Sequence, residues 1–66
     1  MSDILIDKLK NSIGLEGIIY LLNGFRFECK IISCDTDFIE IYDTKKHFTK
    51  LIRVNEIREV DLHNGH

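Results

Sequence analysis

The dipeptide Asn23-Gly24 is the feature that most constrains how this chain can fold. It follows a continuous apolar run at residues 18–22, which is typical of a buried strand. After it, apolar and charged residues alternate from Phe25 to Ile31, as in a strand with one buried face. Asn-Gly between two such segments is a strong hairpin signal, because a two-residue type I′ turn needs positive φ at both central positions. The sequence therefore predicts a β-hairpin with Asn23 and Gly24 at its turn.

A helix is predicted ahead of this hairpin, over about residues 3–13. Ser2 or Asp3 can act as its N-cap, and Gly14 ends it. Apolar residues recur at helical spacing on one face, namely Ile4, Leu5, Leu9 and Ile13. We therefore expect one amphipathic helix before the strands.

Three further strands are predicted after the hairpin, over about residues 38–43, 48–53 and 57–62, with a tight turn at residues 54–56. Short antiparallel strands in so small a chain must curl, because an open flat sheet leaves two edges able to pair with other chains. The predicted fold class is mainly β, with an N-terminal α-helix followed by a five-stranded, strongly bent antiparallel barrel. OB-like and SH3-like barrels fit the same number of strands. Residues 1–62 are predicted to form a single domain, and residues 63–66 a flexible tail.

A core this small needs further stabilisation. A chain of 66 residues rarely gains more than ~3–5 kcal/mol from a single core. Cys29 and Cys34 lie an odd number of residues apart on one strand, which places them on opposite faces unless a bulge intervenes, so no disulfide is expected. Their spacing and the scattered histidines do not fit a zinc site, so no metal and no cofactor are expected. Oligomerisation is the remaining source of stability.

The composition favours a globular protein of the cytoplasm. Apolar residues make up 44% of the chain and charged residues 30%, which is too apolar for disorder, and no apolar run could span a bilayer. Met1-Ser2-Asp3 does not resemble the basic start of a secretion signal. No Ser-His-Asp or Cys-His arrangement is suggested, so we do not expect an enzyme.

The segment from Ile19 to Phe25 resembles the first hairpin of the Hfq proteins, the bacterial members of the Sm-like (Lsm) superfamily. The likeness continues through Ile31, Ser33 and Asp35 and extends to about Leu62. It implies an Sm-like barrel that assembles into a homo-oligomeric ring, which is a hexamer in Hfq. It also implies that the ring binds single-stranded RNA and acts as an RNA chaperone in post-transcriptional regulation, by bringing small regulatory RNA to mRNA.

The chain departs from the family pattern at several positions. Cys29 stands where the second strand of Hfq has a glycine that permits a sharp bend, so the curvature must arise otherwise or be reduced. The residues Arg53-Val54-Asn55 replace the Tyr-Lys-His sequence of Hfq; the string from Ile52 to Asn55 resembles the second motif of archaeal and eukaryotic Sm proteins instead. Asp37 and Ile39 occupy positions where Sm proteins carry a stacking residue and a base-reading asparagine, and Asp37 is expected to repel phosphate.

The resemblance implies RNA-binding residues on two faces of the ring. Those of the distal face are Tyr20, Gly24, Phe25, Arg26 and Glu28, where Glu28 replaces a neutral or basic residue. Those of the pore, on the proximal face, are Phe38, Arg53 and Asn55. Aromatic side chains beside cations suit single-stranded RNA, since stacking contributes about 1–3 kcal/mol per base. Two alternatives stay open: Phe38 as a core residue, and Tyr20 and Phe25 as cross-strand packing partners.

Net charge is the main objection to RNA binding. The chain carries a formal charge of −2, whereas nucleic-acid-binding proteins usually have a basic footprint. A symmetric ring repeats every cation, however, so Lys8 and Lys10 of the helix are predicted to form a basic rim. Lys45 and Lys46 are interpreted as ordinary solvated charges. Two hypotheses follow: an RNA-binding chaperone ring, or a divergent Sm-fold oligomeric interaction module with reduced or lost RNA binding.

Overall fold

The computed structural model describes residues 3–63. In chain order its elements are α1 (Asp3–Lys10), β1 (Glu16–Leu21), β2 (Arg26–Cys34), β3 (Phe38–Asp43), β4 (Phe48–Arg53), the 3₁₀ turn Val54–Glu56, and β5 (Ile57–His63). The predicted mainly-β fold class, with its helix first, is confirmed. Of the predicted tail, His63 is the last residue of β5, and residues 64–66 lie outside the described residues, as does the predicted N-cap residue Ser2.

The five strands form one antiparallel sheet in the order β4-β3-β2-β1-β5. The sheet is bent but not closed into a barrel. Within residues 3–63 no pairing joins β4 to β5, so these two strands are the edges. Each of them therefore presents backbone donors and acceptors that have no strand partner in the single chain.

Alternating side chains of the strands build the core on one face of the bend. In β1 and β3 the buried residues are separated by half-buried ones, which is the period expected of a sheet with one covered face. The buried apolar residues of the cluster are Leu9, Ile19, Leu21, Cys29, Ile31, Ile39, Ile41, Ile52 and Ile57. Because the run at residues 18–22 alternates in this way, β1 is covered fully on one face only.

The helix is shorter than the sequence predicts. It ends at Lys10, and its Leu9 is completely buried while Leu5 packs against the edge of the core. Burial of one leucine contributes about 1.5–3 kcal/mol, so Leu9 is the main anchor of α1. The prediction that Ile4 and Ile13 share this stripe is wrong, because Ile4 is 86% exposed and Ile13 follows the helix in an exposed turn.

The predicted hairpin is present, but its turn is of another type. The Gly24 amide donates to the Leu21 carbonyl at 3.0 Å and the Leu21 amide to the Phe25 carbonyl at 2.8 Å, which encloses a three-residue loop. Only Gly24 has positive φ there, at 94°. Asn23 instead accepts the Phe25 amide hydrogen at its Oδ1, at 3.0 Å. The loop is therefore a turn followed by a left-handed glycine, rather than the predicted type I′ turn.

The bend of β2 occurs at a bulge and not at a glycine. Ile31 pairs with Ile41 and Ser33 with Glu40, so Ile32 is an extra residue on β2. A bulge of this kind bends its strand and increases the local twist. It also brings Cys29 and Cys34 to the same side of the sheet, where both are free thiols. The bend of β2 thus lies at Ile32, three residues after Cys29.

The pairing of β1 with β5 requires a glycine at position 17. A Cβ on Gly17 would lie 2.3 Å from the Asp61 carbonyl oxygen and 3.0 Å from Cα of Leu62. Both atoms belong to the β5 backbone, which cannot move aside without breaking the ladder.

In the described residues, no helix has the length and apolar character needed to cross a membrane.

Candidate nucleic-acid interface

An acidic turn positions the residues that lead into β3. The Asp35 side chain accepts the backbone amide hydrogens of Asp37 and Phe38, both at 2.8 Å, and the Asp35 amide donates to the Phe38 carbonyl at 2.9 Å. Aspartate favours such turns because its short carboxylate reaches the amides two and three residues ahead. The bonds to Phe38 and Asp37 lower the pKa of Asp35, and the charge of Lys10 adds to this effect. The turn is therefore fixed by a charged acceptor.

Phe38 and Arg53 lie directly opposite each other at the ends of β3 and β4. The next pair, Ile39 and Ile52, is buried, whereas Phe38 is 41% exposed. The alternative that placed Phe38 in the core is therefore wrong. The guanidinium carbon of Arg53 lies 5.6 Å from the centre of the Phe38 ring, a cation–π distance. Together they form an exposed platform of an aromatic ring and a cation.

The 3₁₀ turn brings Asn55 to the same place. Its first residue, Val54, is buried and donates its amide hydrogen to the Asp37 carbonyl at 2.9 Å, which links the turn to the loop before β3. A cleft of about 260 Å³ results, lined by Thr36, Asp37, Phe38, Arg53 and Asn55. We call this the loop cleft. All the predicted pore residues, Phe38, Arg53 and Asn55, thus line one cleft.

Asp37 occupies a position where the resemblance predicts a base-stacking residue, and an aspartate is unsuited to stacking. In the structure its carbonyl and amide are both hydrogen-bonded, and the residue lines the loop cleft. Nothing in the local pattern reveals this, because the contact between Asp37 and Val54 spans the whole β3-β4 hairpin. Thr36, the other residue not predicted, reaches the cleft through the same loop.

The predicted distal residues lie on a second region, which we call the hairpin surface and define as Tyr20, Gly24, Phe25, Arg26 and Glu28. Tyr20 pairs with Arg26 across β1 and β2, whereas Phe25 precedes β2 and is 66% exposed. Tyr20 and Phe25 are therefore not cross-strand partners, which removes that alternative. Gly24 contributes the turn that presents Phe25.

Tyr20 is already engaged by neighbours on β5. Its hydroxyl donates to Asp61 Oδ2 at 3.2 Å, and the Arg58 guanidinium carbon lies 5.7 Å from its ring centre. The hydrogen bond to Asp61 is the main cause that raises the pKa of Tyr20, with smaller contributions from desolvation and from the charge of Asp61. A base stacking on this ring must therefore use the face that Arg58 leaves open.

Glu28 is also paired within the chain. Its Oε2 lies 3.5 Å from Lys45 Nζ, and its carbonyl accepts hydrogen bonds from Thr44 at 3.2 Å. The Asp43 carboxylate holds this turn by accepting the amide hydrogens of Lys45 and Lys46 at 2.9 Å. Lys45 is thus an exposed partner of Glu28, and the ion pair offsets the negative charge on the hairpin surface.

A further cation lies beyond both predicted sites. Lys50 on β4 has its Nζ 4.6 Å from the Phe27 ring centre and 5.6 Å from that of Phe48. Lys50 is half-buried on this strand. The rim residues Lys8 and Lys10 are exposed on α1, and the charge of Lys10 helps to lower the pKa of Asp35.

No protein-family model matches this chain. No curated protein matches it at a significant level.

Proposed function

We propose that this chain is the subunit of an oligomeric ring that binds single-stranded RNA and serves as an Hfq-like RNA chaperone in the cytoplasm. The observation that carries the proposal is the loop cleft, which Asn55 lines together with the exposed pair of the Phe38 ring and the Arg53 guanidinium. Stacking, cation and hydrogen-bonding groups in one open cleft are the chemistry that unpaired bases require. Small regulatory RNA and mRNA are the proposed ligands.

The open edges of the sheet support assembly. The exposed residues of β4 include Phe48 and Leu51. Strand addition between β5 of one copy and β4 of the next would pair both edges. In a closed ring every strand edge is paired with a neighbouring copy. We propose that this ring is a hexamer.

The hairpin surface is proposed as a second RNA contact, suited to adenine-rich segments. Phe25 offers an exposed ring, and Arg26 an exposed cation beside it. Tyr20 and Glu28 contribute less in this proposal, because Asp61, Arg58 and Lys45 already engage them.

Local cations compensate for the net negative charge of the chain. A hexamer would repeat Arg53 around the ring and concentrate positive charge at the loop clefts. RNA binding should therefore be sensitive to salt, because phosphate contacts release counterions.

The test combines assembly and binding. Native mass spectrometry reads the number of subunits, and fluorescence anisotropy reads the affinity for an unstructured RNA that contains all four bases, at low and at high salt. We expect a ring that binds this RNA with an affinity that falls as salt rises. Arg53→Gln should weaken binding by about tenfold, within the range for a charge-assisted contact.

Lys30→Gln is the matched control, since Lys30 is an exposed cation on β2 that does not line the loop cleft. Its affinity should stay within about twofold of the unmodified chain. A monomer at micromolar concentration contradicts the ring, and an intact ring without RNA binding at low salt contradicts the proposed function.

That last outcome would favour the second candidate, an oligomeric interaction module of Sm type without RNA binding. One observation speaks for it: Leu22, Phe25 and Leu51 are exposed apolar side chains at the hairpin and on β4. Exposed apolar side chains are typical of contacts between proteins.

A further inference from the structure

Resting on the proposed RNA binding, we infer that Asp37 makes the loop cleft select guanine and reject uracil. Asp37 lines the cleft together with Phe38 and Arg53. Its position is therefore next to any base that stacks there.

The backbone holds Asp37 from both sides. Its amide hydrogen is donated to Asp35 Oδ1 at 2.8 Å, and its carbonyl accepts the Val54 amide hydrogen at 2.9 Å. Within residues 3–63, neither a salt bridge nor a side-chain hydrogen bond engages its carboxylate. The side chain is thus anchored at its backbone, with both oxygens available as acceptors.

The chemistry of the carboxylate determines which base edge fits. An ionised carboxylate can only accept hydrogen bonds. Guanine presents two adjacent donors on its Watson–Crick edge, N1–H and the N2 amino group, which match the two oxygens. Uracil presents a single N3–H between two carbonyl oxygens, and both carbonyls repel a carboxylate. Adenine and cytosine each place a ring-nitrogen acceptor beside their amino group and rank between these extremes.

The other groups of the cleft are compatible with guanine. The Phe38 ring supplies a stacking surface, and a purine covers more of it than a pyrimidine does. Asp37 also repels phosphate, so the cleft should take the base while the backbone of the RNA stays outside. The residue that weakens a phosphate site thereby gives a base site its specificity.

The experiment compares pentaribonucleotides of uridine whose central residue is guanosine, inosine, cytidine, adenosine or uridine, with affinity measured by fluorescence anisotropy against the intact assembly. Central guanosine should bind about tenfold more tightly than central uridine, in line with one base-specific pair. Inosine lacks the N2 amino group and should lie between them. This series uses the unmodified chain and so does not depend on how a variant folds.

Asp37→Asn tests the role of the carboxylate itself, since asparagine keeps the size and both backbone bonds while adding a donor. It should remove the guanosine preference and strengthen the binding of uridine. Asp7→Asn, on the exposed face of α1, changes the charge equally and is the matched control. It should leave the ratio of the affinities for the two pentamers unchanged.

The outcomes separate this inference from the proposed function. If all five oligonucleotides bind equally, or if Asp37→Asn and Asp7→Asn change the ratio alike, the inference is overturned while RNA binding stands. If none of the five binds at low salt, the proposed function fails and the inference with it.

Discussion

The loop cleft and the hairpin surface differ in how their side chains are held. In the loop cleft, Asp35 and Val54 fix the backbone by hydrogen bonds, and none of the described residues engages the Asp37 carboxylate. On the hairpin surface two of the side chains themselves are engaged, with Tyr20 bound to Asp61 and Glu28 paired with Lys45. A site whose backbone is fixed and whose side chains are available is prepared to bind a ligand, because little has to be rearranged.

The two regions also depend on different parts of the fold. The loop cleft needs the pairing of β3 with β4 and the 3₁₀ turn between β4 and β5. The hairpin surface needs β1 and its contact with β5. β2 joins the two halves, since its Cys29 pairs with Gly17 on one side and with Asp43 on the other. The halves also meet where the Leu22 amide donates to the Glu56 carbonyl at 2.9 Å. Side-chain changes that leave this bond intact should therefore affect the other half mainly through overall stability.

The largest expected effect is on stability, at the contact between β1 and β5. Gly17→Val places side-chain atoms where the β5 backbone lies, since a Cβ alone would be 2.3 Å from the Asp61 carbonyl oxygen. We expect the free energy of unfolding to fall by about 3 kcal/mol, as for severe overpacking. Urea denaturation followed by circular dichroism measures it.

Thr49→Val on the exposed side of β4 is the control, and its free energy of unfolding should change by less than about 0.5 kcal/mol. Equal stability of Gly17→Val and the unmodified chain would contradict the close approach of β5 and remove the structural basis of the hairpin surface.

The next effect, on binding, tests whether the two regions act separately. Phe38→Ala should weaken the binding of guanosine-containing RNA by about tenfold and leave oligo-A within about twofold, since stacking contributes about 1–3 kcal/mol per base. Phe25→Ala should do the reverse. Both residues are exposed rings, so each variant is the control for the other. Equal losses for both RNAs in both variants would show that the regions form a single site.

A smaller effect concerns pH, and it should distinguish the loop cleft. The hydrogen bonds from Phe38 and Asp37 lower the pKa of folded Asp35, so the folded state binds this proton less readily than the unfolded state. The stabilisation is present above the ordinary aspartate pKa of about 3.9 and is lost as pH falls through the lower folded value. Asp35→Asn should therefore reduce the loss of stability between pH 5 and pH 2, measured by urea denaturation.

Asp7→Asn again serves as the control and should retain the acid dependence of the unmodified chain. Asp43 contributes a similar dependence, because the Lys46 amide is the main cause that lowers its pKa, so Asp35→Asn should diminish the effect without abolishing it. An unchanged acid dependence in Asp35→Asn would mean that the carboxylate does not hold the loop.

The fold was predictable from the sequence where short-range patterns decide it. Alternation located β2 and β3, and the Asn23-Gly24 pair located the hairpin, although Gly24 alone takes the positive φ. A bend was predicted, but its position was not, because a bulge at Ile32 depends on the register between β2 and β3. The exposed Ile13 was missed because the helix ends earlier than its apolar spacing suggests.

The loop cleft was predictable in part. Phe38, Arg53 and Asn55 were identified by resemblance, and they line one cleft. The role of Asp37 and the engagement of Tyr20 by Asp61 follow from contacts between distant parts of the chain, 41 residues apart in the second case. Local sequence patterns carry no information on such pairs, so only the folded sheet reveals them.

The smallest expected effect tests the engagement of Tyr20. Asp61→Ala removes the main cause that raises the Tyr20 pKa, the hydrogen bond to the Asp61 carboxylate. In a Tyr42→Phe background, which leaves Tyr20 as the remaining tyrosine, an absorbance titration near 295 nm should show phenol ionisation at lower pH once Asp61 is replaced. Glu59→Gln is the control and should shift the midpoint less, because its charge is the last of the causes that raise this pKa.

Asp61→Ala also frees the Tyr20 hydroxyl and removes a negative charge from beside the hairpin surface. The affinity of this variant for oligo-A should therefore rise by about twofold, which is within the small range of exposed charge pairs. Binding of guanosine-containing RNA at the loop cleft should not change, since Asp61 lies on the other half of the sheet. An unchanged titration midpoint would mean that Tyr20 is not engaged by Asp61. The hairpin surface would then be as ready for a ligand as the loop cleft.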